Sequence, residues 1–136
     1  MPRGKCACGD YTYEISDKPS ATVVCHCSPC QKFAGANGST NAIVPKDQYK
    51  LLSGDTDSWT REGDSGKEVT NFYCKNCKNL MRVEAAFMPD VYIVKPGTLE
   101  EVDVLNDVPV YQEIYTRNRP SCFGALQSVD QKAGAT

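Results

Sequence analysis

Positions 25 to 30 read Cys-His-Cys-Ser-Pro-Cys, three thiols and the chain's single histidine within six residues. Five further cysteines stand at positions 6, 8, 74, 77 and 122. Cys6-Ala-Cys8 and Cys74-Lys-Asn-Cys77 are two short chelating loops far apart in sequence. A structural zinc ion takes four ligands tetrahedrally, commonly two from each of two such loops, and these two pairs meet that need. Four thiolates on a divalent ion leave negative charge in excess, and Lys5, Lys75 and Lys78 flank the cysteines where they offset it. A redox Cys-x-x-Cys is the rival reading. Such a motif normally opens a helix after a strand in a βαβ unit, and no such pattern surrounds Cys74.

Cys25, Cys27 and Cys30 form a second set with no partner pair left over. Catalytic zinc typically has three protein ligands and an open fourth position. A thiolate-held zinc favours a soft donor there, so an incoming thiol is the expected occupant. Cys122 is the alternative: as a fourth ligand it would close the site and make it structural. In an extended segment His26 points away from the side shared by Cys25 and Cys27, so it is not expected on the same metal. Two roles stay open for it. One is general base, since its unperturbed pKa lies near neutrality. The other is a histidine simply hydrogen-bonded to nearby backbone.

Bulk properties narrow the setting. A chain of 136 residues is long enough for one domain with an apolar core. A net charge of -2 and a pI near 5.4 argue against a nucleic-acid partner. No apolar stretch approaches the roughly 18 residues of a membrane span. The opening Met-Pro-Arg-Gly-Lys-Cys shows no apolar segment of a signal peptide behind its charges. A cytoplasmic protein with reduced thiols is therefore expected. Four disulfides would also use eight cysteines, but a domain of this size does not need such staples.

The elements that must carry these ligands read mainly as strands. Tyr11, Tyr13 and Ile15 alternate with polar residues. Short runs follow at 21–24, 41–44, 58–61, 69–73, 81–85, 91–94 and 110–115, separated by Gly, Asp, Asn or Pro. Two places look helical. Ser28 as N-cap with Pro29 at the first position opens a short helix through Phe33, and residues 45–49 allow one turn. The small polar residues at 130–136 read as a frayed tail of a single domain covering residues 1–136. Trp59, the only tryptophan, is assigned to the core.

The chain resembles the glutathione-dependent formaldehyde-activating enzyme family, whose domain is shared with centromere protein V. The matching residues are Lys5-Cys-Ala-Cys-Gly9, Cys25-His-Cys-Ser-Pro-Cys30, Phe72-Tyr-Cys-Lys-Asn-Cys77, Val91-Tyr-Ile-Val-Lys-Pro-Gly-Thr-Leu99 and the closing segment Tyr115 to Pro120. The resemblance implies a β-tent, small antiparallel sheets pinned by zinc. It also implies structural zinc on Cys6, Cys8, Cys74 and Cys77, and a catalytic, more labile site on Cys25, Cys27 and Cys30. Two positions depart from the family. A glycine commonly follows the second knuckle, where this chain has Lys78, and an aromatic residue commonly follows Arg-Pro-Ser, where it has Cys122.

Together these readings lead to a zinc-dependent, glutathione-linked carbon–sulfur lyase with up to two zinc ions and glutathione as co-substrate. His26 is its candidate proton carrier. Lys32, Arg82, Arg117 and Arg119 are the candidate cations for the glutathione carboxylates. Two alternatives remain: a thiol-assisted isomerase or epimerase of an unsaturated carbonyl compound, and a non-enzymatic interaction module. The latter would prefer a basic or low-complexity extension, which the chain lacks.

Overall fold

A computed structural model describes residues 1–100 and 104–135. In chain order the strands are β1 (Arg3–Lys5), β2 (Thr12–Ile15), β3 (Ala21–Cys25), β4 (Ser39–Pro45), β5 (Tyr49–Ser53), β6 (Thr56–Glu62), β7 (Glu68–Cys74), β8 (Leu80–Ala85), β9 (Val91–Val94), β10 (Val110–Ile114) and β11 (Asp130–Gln131). The helices are α1 (Ser28–Ala34) and α2 (Val104–Asp107), and single 3-10 turns occur at Lys46–Gln48, Pro96–Thr98 and Thr116–Asn118. The expected mainly β architecture is present. So are the helix after Cys27 and the turn near 45–49.

The strands form two sheets. β1, β2 and β5 make the smaller one, and the larger runs in the order β11-β10-β3-β4-β9-β8-β7-β6. Most pairings are antiparallel, as hairpins between short strands require. At one end β10 lies parallel to β3 and β11 parallel to β10. Parallel neighbours cannot be joined by a tight turn, so these pairings bring distant parts of the chain together. Ile114 lies opposite Cys25 across one side of β3, and Ser39 of β4 lies opposite it on the other.

The main core grows from the β2 alternation. Tyr11, Tyr13 and Ile15 are fully buried, and they meet Val44, Met81, Val94 and Leu99. Cys6 and Cys74 belong to the same cluster. The Tyr13 ring stacks on Tyr49 with centroids 4.9 Å apart, and its hydroxyl bonds to Thr98 Oγ1 at 2.6 Å. Burial pushes the Tyr13 phenol up to about 12. The ring lies directly over Gly4, where a Cβ would sit 2.3 Å from Tyr13 Cζ. Strand β1 can therefore approach β2 only with glycine at this position.

Three expectations are corrected. The N-cap of α1 is Cys27 rather than Ser28, its Sγ accepting from the Cys30 amide at 3.4 Å. Trp59 is not core: it is 51% exposed, because β6 is an edge strand. The tail is not frayed over its described residues. β11 pairs with β10, Lys132 N donates to Glu113 O at 2.9 Å, and Tyr115 N donates to Gly134 O at 3.0 Å. Thr136 lies outside the described residues.

The fit of Tyr13 on Gly4 yields a measurable consequence. Gly4→Ala should lower stability by about 1–3 kcal/mol, the usual cost of overpacking a filled core. Thermal melts followed by circular dichroism check this. An unchanged midpoint would mean that the Tyr13 ring can move aside.

Candidate functional site

The first thiol set joins two turns. In the N-terminal turn, Gly9 N donates to Cys6 O at 3.1 Å and Tyr11 N donates to Cys6 Sγ at 3.3 Å. In the second, which leaves the end of β7, Lys78 N donates to Cys74 O at 2.8 Å. Ala7 N donates to Asn79 Oδ1 at 3.0 Å, so the two turns are stitched to each other. Cys8 Sγ lies 3.5 Å from Cys6 Sγ and 3.8 Å from Cys74 Sγ, and all four sulfurs of Cys6, Cys8, Cys74 and Cys77 lie within 4.8 Å of one another. A tetrahedron with zinc–sulfur bonds of about 2.3 Å has sulfur–sulfur edges of about 3.8 Å. The four cysteines are free thiols at that spacing, so the donor set fits zinc. Burial opposes ionisation of Cys6, yet the Tyr11 amide and the neighbouring thiols bring its pKa down to about 6.

Lys78 occupies the left-handed region with φ of 63°. The family resemblance implies a glycine at this position, and a side chain is strained in this backbone conformation. Its ammonium pairs with Asp57 and holds that carboxyl below its usual range. Lys5 pairs with Glu100 at 3.8 Å.

The second set sits at a strand–helix junction. Cys25 closes β3, Cys27 caps α1, and Cys30 lies in the first turn of α1, which Pro29 helps to start. Their three sulfurs lie within 4.8 Å of one another. Cys122 is exposed and does not join them, so among the described residues the set has three thiols. They too are free, and three soft donors fit a zinc ion with one position left over. The loop returning from α1 passes close beneath. Gly38 has φ of 79°, and a Cβ there would lie 2.6 Å from Cys25 O.

His26 is not part of the group of ligand atoms formed by Cys25, Cys27 and Cys30. Its ring is 1% exposed, and Nε2 meets Glu113 Oε1 at 2.8 Å. Its partner is thus a carboxylate rather than backbone. Glu113 also accepts from Leu126 N at 2.8 Å and Gln131 Nε2 at 2.6 Å, and Arg119 lies 3.5 Å away. Burial works against the Glu113 charge, but the His26, Gln131 and Leu126 donors and Arg119 outweigh it and hold the pKa below the ordinary value. The His26 amide donates to Ile114 O at 3.0 Å, tying the same junction to β10 through the backbone.

On the other side of the thiols stands Lys95, just after β9. Its Nζ donates to Asn41 Oδ1 at 2.6 Å, and Asn41 Nδ2 donates in turn to Ser39 Oγ at 3.0 Å. Burial pushes the Lys95 ammonium below its ordinary pKa, and the charge of the three cysteines pulls it part of the way back. The Cys30 thiol is held below its ordinary pKa. Hydrogen bonds from Cys25 and Cys27 lower it most, and the Ser39 hydroxyl and the Lys95 charge add to that.

Sequence reasoning named neither Lys95 nor Glu113. Lys95 lies within the quoted Val91 to Leu99 motif, where a lysine directly after an apolar strand was the available signal. Nothing local marked Glu113. Of the four candidate cations, Arg82 is enclosed by rings, 4.3 Å from the Phe72 centroid and 4.9 Å from that of Tyr92, and donates to Tyr11 Oη. Arg119 donates to Gln131 Oε1 at 2.7 Å beside Glu113. Lys32 is exposed on α1, and Arg117 is exposed with its guanidinium 5.7 Å from the Tyr115 ring. No helix among the described residues is long and apolar enough to cross a membrane.

A family model described as glutathione-dependent formaldehyde-activating enzyme matches residues 1–118. The matched span contains both thiol sets, His26, Lys95 and Glu113, and it ends before Cys122. A crystal structure of a Rhodobacter sphaeroides protein is similar in fold, with a TM-score of 0.60 at 19% identity over 79% of this chain and 96% of that one. No curated protein matches the sequence.

The strain at Lys78 can be measured apart from its ion pair. In an Asp57→Ala background, Lys78→Gly should raise stability by about 1 kcal/mol, because the left-handed backbone is relieved while no ion pair is at stake. Denaturant unfolding of the single and double variants checks this, and a loss of stability on adding Lys78→Gly would contradict it.

Proposed function

The chain belongs to the glutathione-dependent formaldehyde-activating enzyme family, and from that premise we propose that it joins the glutathione thiol to a small carbonyl electrophile, formaldehyde in the first instance. The reaction is a reversible carbon–sulfur bond formation, and its reverse is a lyase reaction. The observation that carries this reading is the three-thiol set, with Cys122 standing apart from it. Cys25, Cys27 and Cys30 would hold the catalytic zinc, and Cys6, Cys8, Cys74 and Cys77 a structural one. A zinc ion held by these three thiols would supply a Lewis acid that favours the thiolate form of a bound thiol at neutral pH.

The chain's own residues then have distinct tasks. Cys25 is held by ladders on both sides of β3, so one ligand is rigid. Cys27 and Cys30 ride on the first turn of α1, which can adjust without dismantling the sheet. His26, enclosed and taken up by Glu113, acts as a positioning residue for the segment bearing Cys25 and Cys27 rather than as a carrier of substrate protons. Lys95 offsets the negative charge of the thiolates. Lys32 and Arg117 are the two proposed glutathione-binding cations that the fold leaves exposed.

The test compares two variants in their zinc-loaded state. Cys27→Ser should fold, keep one zinc ion that resists chelation, lose the second, and no longer accelerate adduct exchange between glutathione and formaldehyde, followed by NMR. A hydroxyl stays protonated and is a harder donor than thiolate, so it does not replace the ligand. Cys122→Ala should retain both zinc ions and the rate. If both variants lose the same zinc ion and unfold, the triplet is a structural site closed by Cys122.

A further inference from the structure

A cavity of about 330 Å³ is lined in part by Ser39, the residue of β4 that lies opposite Cys25 of β3. Ser39 and Lys95 line it, the two residues whose hydroxyl and charge act on Cys30. Phe33 of α1 and Leu80 of β8 add apolar wall, and Thr98 adds a hydroxyl. Cavities of about 300–1,000 Å³ are the range that takes ligands of many atoms. Formaldehyde is little larger than water, whose share of liquid volume is about 30 Å³. Formaldehyde alone would leave most of this space to solvent.

The lining describes a different occupant. It offers one cation, Lys95, and no carboxylate. Glutathione would bring two carboxylates and an ammonium group to a wall that answers only one of them. A neutral carbonyl compound needs a donor for its oxygen and an apolar surface for its body, and both are present. Phe33, 38% exposed, is backed edge-on by Trp59 at 5.9 Å between centroids and 74° between ring planes. Two exposed aromatic rings in contact suit a flat partner.

We propose that this cavity seats the electrophile, and that the chain accepts aromatic or conjugated aldehydes, with Phe33 against the flat body and Lys95 Nζ donating to the carbonyl oxygen. This rests on the thiol-addition reading above. The thiolate sulfur bonds to the carbonyl carbon, and the carbon–oxygen π pair moves onto oxygen beside the Lys95 ammonium. The proton first lost by the thiol ends on that oxygen, giving a hemithioacetal with nothing oxidised or reduced. Asn41 Oδ1 fixes Lys95 Nζ for this task, and Asn41 is itself held by Ser39 Oγ and by Val23 O at 3.3 Å. Charge developing on the oxygen is met by a cation already in place, which is where such groups act most strongly.

The test uses zinc-loaded protein and benzaldehyde. Trp59, the only tryptophan, should report saturable benzaldehyde binding by fluorescence, and ligand-observed NMR should show the same contact. Phe33→Ala should weaken that binding by about tenfold. Lys95→Met should change benzaldehyde affinity less than about threefold but lower the turnover number with glutathione by about 100-fold. The seat is overturned if benzaldehyde gives no saturable signal, or if glutathione alone saturates the Trp59 signal and Lys95→Met abolishes that. If no aldehyde, formaldehyde included, is turned over, the thiol-addition reading and the Lys95 role fall together, and the benzaldehyde titration still decides the seat.

Discussion

Four sulfurs, from Cys6, Cys8, Cys74 and Cys77, converge within 4.8 Å, and two of them, Cys6 and Cys74, are also members of the main apolar core. Thiolates crowded this closely repel one another unless a cation sits among them. Metal binding at such a set is also folding free energy, on the order of 10–16 kcal/mol for structural zinc in small domains. The turn after β1 and the turn after β7 are thus joined through the same point at which Tyr11, Met81 and Val94 pack. With a metal bound there, stability and occupancy would be linked at this place, and the strained backbone of Lys78 is tolerated because the knuckle around it is so heavily determined.

The second set is built on the opposite principle. None of its cysteines belongs to the main core cluster. Its rigidity comes from hydrogen bonds around it: Glu113 and His26 on one side, Lys95, Asn41 and Ser39 on the other. Three thiolates on a divalent ion carry one excess negative charge, and a fourth, incoming thiolate adds another. Lys95 is placed to balance the first of these. On the proposed reading, one divided ligand set would serve two ends, a closed clamp for the fold and a three-thiol centre whose charge and surroundings could respond to a ligand.

Much of this was legible in the sequence because it is local. Ligand spacing within a turn and inward–outward alternation in Tyr11, Tyr13 and Ile15 are properties of a few consecutive residues. What was hidden depends on partners far along the chain. His26 and Glu113 are 87 residues apart, and only the parallel pairing of β10 with β3 brings them together. Lys95 becomes part of the site because β9 lies beside β4, which carries Asn41 and Ser39. The exposure of Trp59 follows from the edge position of β6, which composition does not reveal. Cys27 as a helix cap was missed because a thiol is an uncommon capping group, and Ser28 beside it is a common one.

The central claim is that one metal centre is closed and the other keeps a position for a substrate sulfur. Cadmium-113 NMR of the cadmium-substituted protein tests it most directly, because the resonance reports the number of sulfur ligands at each ion. The account predicts two resonances, one insensitive to added glutathione and one that moves as a fourth sulfur joins Cys25, Cys27 and Cys30. Two resonances that both ignore glutathione, each at the position of a four-sulfur centre, would contradict it.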